Sequence, residues 1–311
     1  MKKAFSHPVG SLILALVVCA LWGSLFPFIK IGYNAFHIDG GDIPSVLLFA
    51  GLRFTVCGAL LVAFFSAGKH ERRLPARSDL LPILAVALSS IVLHYAFTYL
   101  GIAVGESSKS AIIKQIGFLF LSCFSFLLIK EDRFSPKKIV CGVLGFAGII
   151  VTNLDGGAFT FGVGDALLIA ASFCSVASTV ITKKAVQRTA PLMLVAYSQL
   201  MGGAVLCGAG LLLSGRITHF DVKSLLVFTY ICAASMIAYS LWNMLIKHNS
   251  VSKLSVIKFS EPLFAVILSG LILKENIWKL NYLLALGIIL VAILLNNLQV
   301  KEKQSHESTD L

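Results

Sequence analysis

One stretch of this chain occurs twice. Residues 107–131 read SSKSAIIKQIGFLFLSCFSFLLIKE and residues 251–275 read VSKLSVIKFSEPLFAVILSGLILKE, so at an offset of about 144 residues ten of twenty-five positions are identical. Matches between apolar residues such as Leu119 and Leu263 are cheap. Matches between charges are not: Lys109 falls on Lys253, Lys114 on Lys258, and Lys130-Glu131 on Lys274-Glu275. A lysine inside an apolar span costs roughly 2.5 to 3.5 kcal/mol on insertion scales, so one retained at the same place in both copies needs a cause. Duplication of this kind is a common architecture of secondary transporters.

The surrounding sequence places the repeat in a bilayer. Hydrophobic residues make up 57% of the 311 and charged residues 13%, against about 25% charged in ordinary soluble proteins. Ten apolar segments of near-spanning length are read at about 12–33, 44–67, 80–102, 110–129, 138–154, 164–181, 191–213, 225–246, 254–273 and 280–295. The first begins after Lys2-Lys3 like a signal peptide but runs on to Tyr33, too far for an h-region, and is read as a span. The expected fold is therefore an all-α membrane protein. The net charge of +11 does not indicate nucleic-acid binding, because the basic residues are scattered through short loops, as in membrane topogenesis. The seven cysteines fall in separate apolar runs with no CxxC spacing, which points to packing residues and neither disulfides nor zinc.

Lys and Arg in alternate loops divide seventeen to five, with Lys30, Arg53, Lys114 and Lys258 left inside spans. That bias predicts both termini in the cytoplasm. Five spans in each half is an odd number, so the halves are expected as two inverted five-helix repeats, residues 9–154 and 164–297. The polar tail 298–311 is expected to be disordered in the cytoplasm.

These features together resemble the EamA family of the drug/metabolite transporter superfamily. The residues that carry the likeness are Trp22-Gly23-Ser24 with Phe26-Pro27, Arg53 in the second span, Glu261-Pro262 in the ninth, Glu131 and Glu275 closing the fourth and ninth, and the Gly142, Gly145, Gly148 row. Two positions depart from the pattern: Gly117-Phe118 stands where the second copy has Glu261-Pro262, and Val176 where tryptophan is frequent. The resemblance implies ten spans, cytoplasmic ends and transport, without naming a substrate.

Charged residues inside spans are expected to face the bundle interior or a wet cavity. The candidates for a substrate pathway are Trp22, Lys30, Arg53, His94, Tyr99, Lys114, Gln115, Trp242, Asn243 and Lys258. Arg53 offers a bidentate fork for a carboxylate. Lys114 has no acid within one helical turn, and snorkelling is the competing reading for it as for Lys30. Glu261 lies three residues after Lys258, on the same helix face, and is the candidate for a coupling proton. Pro27 and Pro262 are candidate helix breaks. Four cations against one acid favour a small organic substrate with an anionic group, an amino acid or other carboxylate, with export as the family's usual direction. Phosphorylated or nucleotide sugars are the alternative, and a non-transporting membrane protein the second. The small-molecule substrate and the lipid bilayer are the expected partners, with a homodimer packed on small residues as a further option. No Walker A, HExxH or paired acidic motif is present, so neither ATP, a metal, a cofactor nor enzymatic chemistry is expected.

Overall fold

The computed structural model describes residues 5–67, 74–117, 140, 143–144, 147–148, 150–151, 154–155, 158–249, 254, 257–258, 260–288 and 291. Its helices are α1 (Pro8–Ala35), α2 (Ile43–Ala67), α3 (Arg77–Val86), a π-helical segment (Ala87–Leu93), α4 (His94–Val104), α5 (Ser107–Ile113), α6 (Val163–Arg188), α7 (Pro191–Leu212), α8 (Val222–His248) and α9 (Ser260–Leu273). Residues 280–288 are also helical. The two short strands, β1 (Leu154–Asp155) and β2 (Ala158–Phe159), pair antiparallel. Among the described residues, six stretches are long and apolar enough to cross a membrane: Val9–Ala35, Ile43–Phe64, Arg77–Val104, Val163–Arg188, Pro191–Leu212 and Val222–His248. Glu131, Gly142, Gly145 and the tail, on which expectations were also placed, lie outside the described residues.

Local chemistry sets where the helices begin. Pro8 and Pro191 occupy the first turns of α1 and α7, where the missing N–H has no helical partner to lose. Asp221 caps α8 by accepting from Ser224 N at 2.6 Å, while Asp221 N donates to Ser224 Oγ at 2.9 Å. Asp165 and Asp79 reach back to Gly162 N and Ala76 N, at 2.8 and 3.0 Å, at the heads of α6 and α3. Such acids complement the helix dipole as well as an orphan N–H.

The tightest packing is between α2 and α7. A Cβ added to Gly51, Gly58, Gly203 or Gly210 would lie 2.3, 2.3, 2.3 and 2.7 Å from the backbone N of Cys207, Leu200, Thr55 and Leu48, respectively. One number rises as its partner falls, so the helices run antiparallel, and glycine lets their backbones nearly touch. Elsewhere α1 packs on α8 and α9, and α4 packs on α6. Gly23 permits the α1–α9 approach, since a Cβ there would meet Glu261 O at 2.8 Å. Gly117 does the same against α6, 2.3 Å from Ser172 O.

Two irregularities lie elsewhere than the prolines. Helix α1 runs unbroken through Pro27; the ring removes one hydrogen bond but neighbouring helices hold the turn. Pro262 falls in the first turn of α9. The departures from α-helix are the π-helical segment, a geometry frequent at functional sites, and the end of α5 at Lys114, after seven residues.

Candidate substrate cavity

The α1–α8–α9 wall and the α4–α6 wall enclose a polar space. Trp22 and Phe26 project into it from α1, with Tyr239, Trp242 and Asn243 from α8. His94 and Thr98 face them from α4, and Lys114 stands at the end of α5. Lys258 and Glu261 lie at the head of α9. The space measures about 50 Å³, room for roughly four waters at 10–15 Å³ each.

Aromatic rings frame the cations. Trp22 meets Trp242 edge-on at 5.2 Å and Tyr239 at 5.5 Å. Lys258 Nζ lies 4.5 Å from the centre of the Trp22 ring and 5.3 Å from that of Trp242, within the reach of a cation–π attraction. Lys114 Nζ lies 5.3 Å from the Phe26 ring and 5.8 Å from Tyr95. Among the described residues no carboxylate lies within 4 Å of Lys114 Nζ. Several polar atoms around the cavity are buried with no hydrogen-bond partner among the described residues: Trp22 Nε1, both ring nitrogens of His94, and Glu261 Oε2. Native interiors rarely leave such atoms unmatched; gathered around one space, they are groups positioned for a ligand or water.

Seven candidate residues thus meet: Trp22, His94, Lys114, Trp242, Asn243, Lys258 and Glu261. Arg53, Tyr99, Gln115 and Lys30 stand apart from them. Arg53 is fully buried. Its Nε donates to Ser235 Oγ at 2.7 Å, its Nη1 donates to the Tyr99 hydroxyl, and its Nη2 has no partner among the described residues. The guanidinium lies 5.4 Å from the Tyr95 ring, and Tyr95 also lines the cavity, so Arg53 is one residue removed from it. Gln115 is buried and donates to Ala111 O at 3.4 Å. Lys30 Nζ donates to Gly105 O at 2.9 Å, closing the C-terminus of α4. At the opposite end of the bundle Lys183 Nζ donates to Ile246 O and Asn249 O at 2.7 and 2.9 Å, closing α8 in the same way.

The Lys30 end carries a charged network. Glu275 accepts from Ser107 N and Ser108 N, both at 3.0 Å, and from Ser108 Oγ at 2.6 Å. It therefore caps α5 from the end of α9, with Lys30 Nζ 3.8 Å away. Glu106 accepts from Tyr282 at 2.5 Å and from Lys279 at 3.1 Å. Partial burial pushes its carboxyl upward, but those two partners outweigh it and hold the group below the usual carboxylate range. Lys109 pairs with Asp165 at 3.0 Å. A wider depression of about 710 Å³ opens between these pairs.

Sequence reasoning missed the α6 wall. Ser175, Ser178, Thr179 and Thr182 line the cavity, and their spacing of 0, 3, 4 and 7 is that of a single helix face. The pattern was visible in the sequence, but hydroxyls are tolerated on most helices, so it carried no signal until a cavity lay beside it.

A helical protein with several segments fit to span a membrane and a cavity between them lined by charged and aromatic side chains is the class these features define. The EamA-like transporter family matches residues 10–154 and again 162–298, and the chain belongs to that family. Relatives agree over nearly full length. An uncharacterised transporter of Archaeoglobus fulgidus is 27% identical over 89% of this chain and 92% of its own. The Escherichia coli inner membrane transporter YedA is 28% identical over 93% and 90%. A second E. coli protein, named a probable amino-acid metabolite efflux pump, is 24% identical over 87% and 89%. A solved crystal structure superposes with a TM-score of 0.68 at 17% identity, covering 94% of this chain and 98% of that one, which supports the fold. The chain is a multi-pass membrane transporter.

Proposed function

We propose that this protein is a secondary transporter of a small organic carboxylate, moved by alternating access across the cytoplasmic membrane, with Lys114 as the anion anchor. One observation carries the reading: Lys114 Nζ reaches the cavity among aromatic rings, and among the described residues no carboxylate lies within 4 Å of it. An unpaired cation at membrane depth is costly and is offset when an anionic substrate completes it. Lys258 differs, because Glu261 lies one helical turn away and the two form the natural proton-coupled pair. Trp22, His94, Trp242 and Asn243 complete the substrate pathway. Arg53 and Tyr99 act behind Tyr95, Gln115 behind Lys114, and Lys30 at the end of the pathway.

Two inverted five-helix repeats, 9–154 and 164–297, with a cytoplasmic tail and both termini cytoplasmic, are the architecture that goes with this mechanism. The antiparallel α2–α7 seam, the doubled family match and the paired Lys30 and Lys183 caps support it. The narrow cavity favours a small carboxylate over a nucleotide sugar. An amino acid is the foremost substrate and export the proposed direction, in keeping with the relative named for amino-acid metabolite efflux.

Flux in proteoliposomes tests the reading, with labelled amino acids, organic acids and sugar phosphates offered with and without a proton gradient. The wild type should move a carboxylate and Lys114→Ala should lose at least tenfold, since a hydrogen bond to a charged group contributes about 1.5–3 kcal/mol. Flux of sugar phosphates alone would overturn the carboxylate assignment.

A further inference from the structure

The hydroxyls around the cavity are not interchangeable donors and acceptors. Thr179 Oγ1 donates to Ser175 O at 2.8 Å, Ser178 Oγ donates to the same carbonyl at 2.9 Å, and across the cavity Thr98 Oγ1 donates to His94 O at 2.7 Å. A hydroxyl has one hydrogen and two lone pairs. Each of these three has turned its hydrogen back into its own helix, a common habit of Ser and Thr in helices, and so offers only acceptor capacity to the cavity. Thr98, Ser178 and Thr179 therefore receive hydrogen bonds from whatever occupies the cavity. The opposite contributors give them: Lys114, Lys258 and the unpartnered Trp22 Nε1 are donors. Three hydroxyl oxygens with acceptor capacity thus face the cavity from α4 and α6, beside His94, while Lys114, Lys258 and Trp22 offer donors across from them.

We infer that Ser178 and Thr179, with Thr98, form an acceptor subsite for an ammonium or other N–H group of the substrate, and so select a zwitterion over a plain anion. The inference rests on the carboxylate reading of the same cavity. With its carboxylate at Lys114, a substrate amino group turned to the α6 wall finds oxygens that carry no charge and need no proton change to accept. Glu261 is then left for the coupling proton. A cargo without the amino group leaves those lone pairs facing a methylene or methyl group, and sites built around a substrate N–H discriminate strongly against analogues lacking it. Each hydrogen bond to a charged group is worth about tenfold in affinity.

The experiment is equilibrium binding to the full-length detergent-solubilised protein, read through the fluorescence of Trp22 and Trp242. The probes are matched pairs differing only by the amino group: leucine with 4-methylpentanoate, glutamate with glutarate, alanine with propionate and phenylalanine with 3-phenylpropanoate. Wild type should bind the amino acid of at least one pair about tenfold or more tightly than its partner. The isosteric double variant Ser178→Ala with Thr179→Val should bring that ratio near one, whereas Ser178→Thr with Thr179→Ser, which keeps both hydroxyls, should retain it. Equal binding of both members in wild type, with both weakened by Lys114→Ala, overturns the acceptor subsite and leaves the carboxylate reading standing. A ratio unmoved by the double variant overturns the subsite as well. Binding of no member of any pair overturns both readings.

Discussion

Helix α5 is seven residues long, about 10 Å at 1.5 Å per residue, far shorter than the 12 to 15 residues a helix needs to be even marginal in isolation. It nevertheless ends on Lys114, the proposed anion anchor. What holds it is the carboxylate of Glu275, which accepts from two backbone N–H groups and one hydroxyl at its head. That side chain is only 11% exposed, so solvent replaces little of what a truncation removes. A single N-cap is worth about 0.5–2 kcal/mol; a charged acceptor with three donors places Glu275→Ala at about 3 kcal/mol. At the 2–4 °C per kcal/mol seen in domains of 150–250 residues, with the lower end applying to a longer chain, the melting temperature should fall by about 6 °C. The Lys30–Glu275 ion pair should contribute far less than these three hydrogen bonds, because it is long at 3.8 Å and the lysine is 31% exposed. The decisive form is a double-mutant cycle with Ser108→Ala, which removes only the hydroxyl contact. In wild type that change should cost about 1 kcal/mol; in the Glu275→Ala background it should cost almost nothing. Equal costs in the two backgrounds, or an unshifted melt for Glu275→Ala, would refute the argument that this carboxylate anchors α5.

Packing and pH give further tests. Gly58→Ala forces a Cβ to 2.3 Å from Leu200 N, whereas Gly208 has nothing within 4 Å of its added Cβ. The first should destabilise by about 1–3 kcal/mol, and the second, a helical Gly→Ala in open space, should stabilise by roughly 0.5–1 kcal/mol; thermal melts of both should move in opposite directions. The Glu106 carboxyl is held below its ordinary value of 4.5. A depressed folded-state value means that its contribution is complete above that ordinary value and disappears as pH falls through the lower folded one. The stability gap between wild type and Tyr282→Phe should therefore be constant above about pH 5 and shrink below pH 4.5, and a gap that widens with acid would contradict the Tyr282–Glu106 bond.

Several elements were legible in the sequence because one dominant force dictates them. The apolar runs at 12–33, 44–67, 80–102, 164–181, 191–213 and 225–246 correspond to the six long helices, since a bilayer demands both length and internal hydrogen bonding. Lys114 and Lys258 stood out because charge at membrane depth is costly. The cavity itself was less legible. In a helix apolar on every side, periodicity does not say which face meets a neighbour. Arg53 looked like the best-placed fork, yet its guanidinium is held by Ser235 and Tyr99 behind Tyr95, and no local pattern encodes a partner 182 residues away. Trp242 is buried against Trp22, a contact between residues 220 positions apart that no local pattern encodes. The π-helical segment and the early end of α5 had no marker as strong as a proline, while Pro27, which looked like a break, sits in continuous helix.

The departure at Gly117 also acquires a physical reason. In the duplicated sequence Gly117 stands where the second copy has Glu261. Both positions lie at a close helix crossing, but the small residue comes from different partners. At the first crossing it is Gly117 itself, whose Cβ would strike Ser172 O at 2.3 Å. At the second it is Gly23 of α1, whose Cβ would strike Glu261 O at 2.8 Å. Because the second crossing takes its clearance from α1, position 261 is free to carry a side chain into the cavity. Because the first takes its clearance from position 117, that site cannot. An intramembrane acid is thus compatible with one copy of the repeat and sterically excluded from the other. If Glu261 carries the coupling proton, the same packing that lets the helices approach confines the intramembrane carboxylate to the second copy of the repeat, beside Lys258 and across the cavity from Lys114.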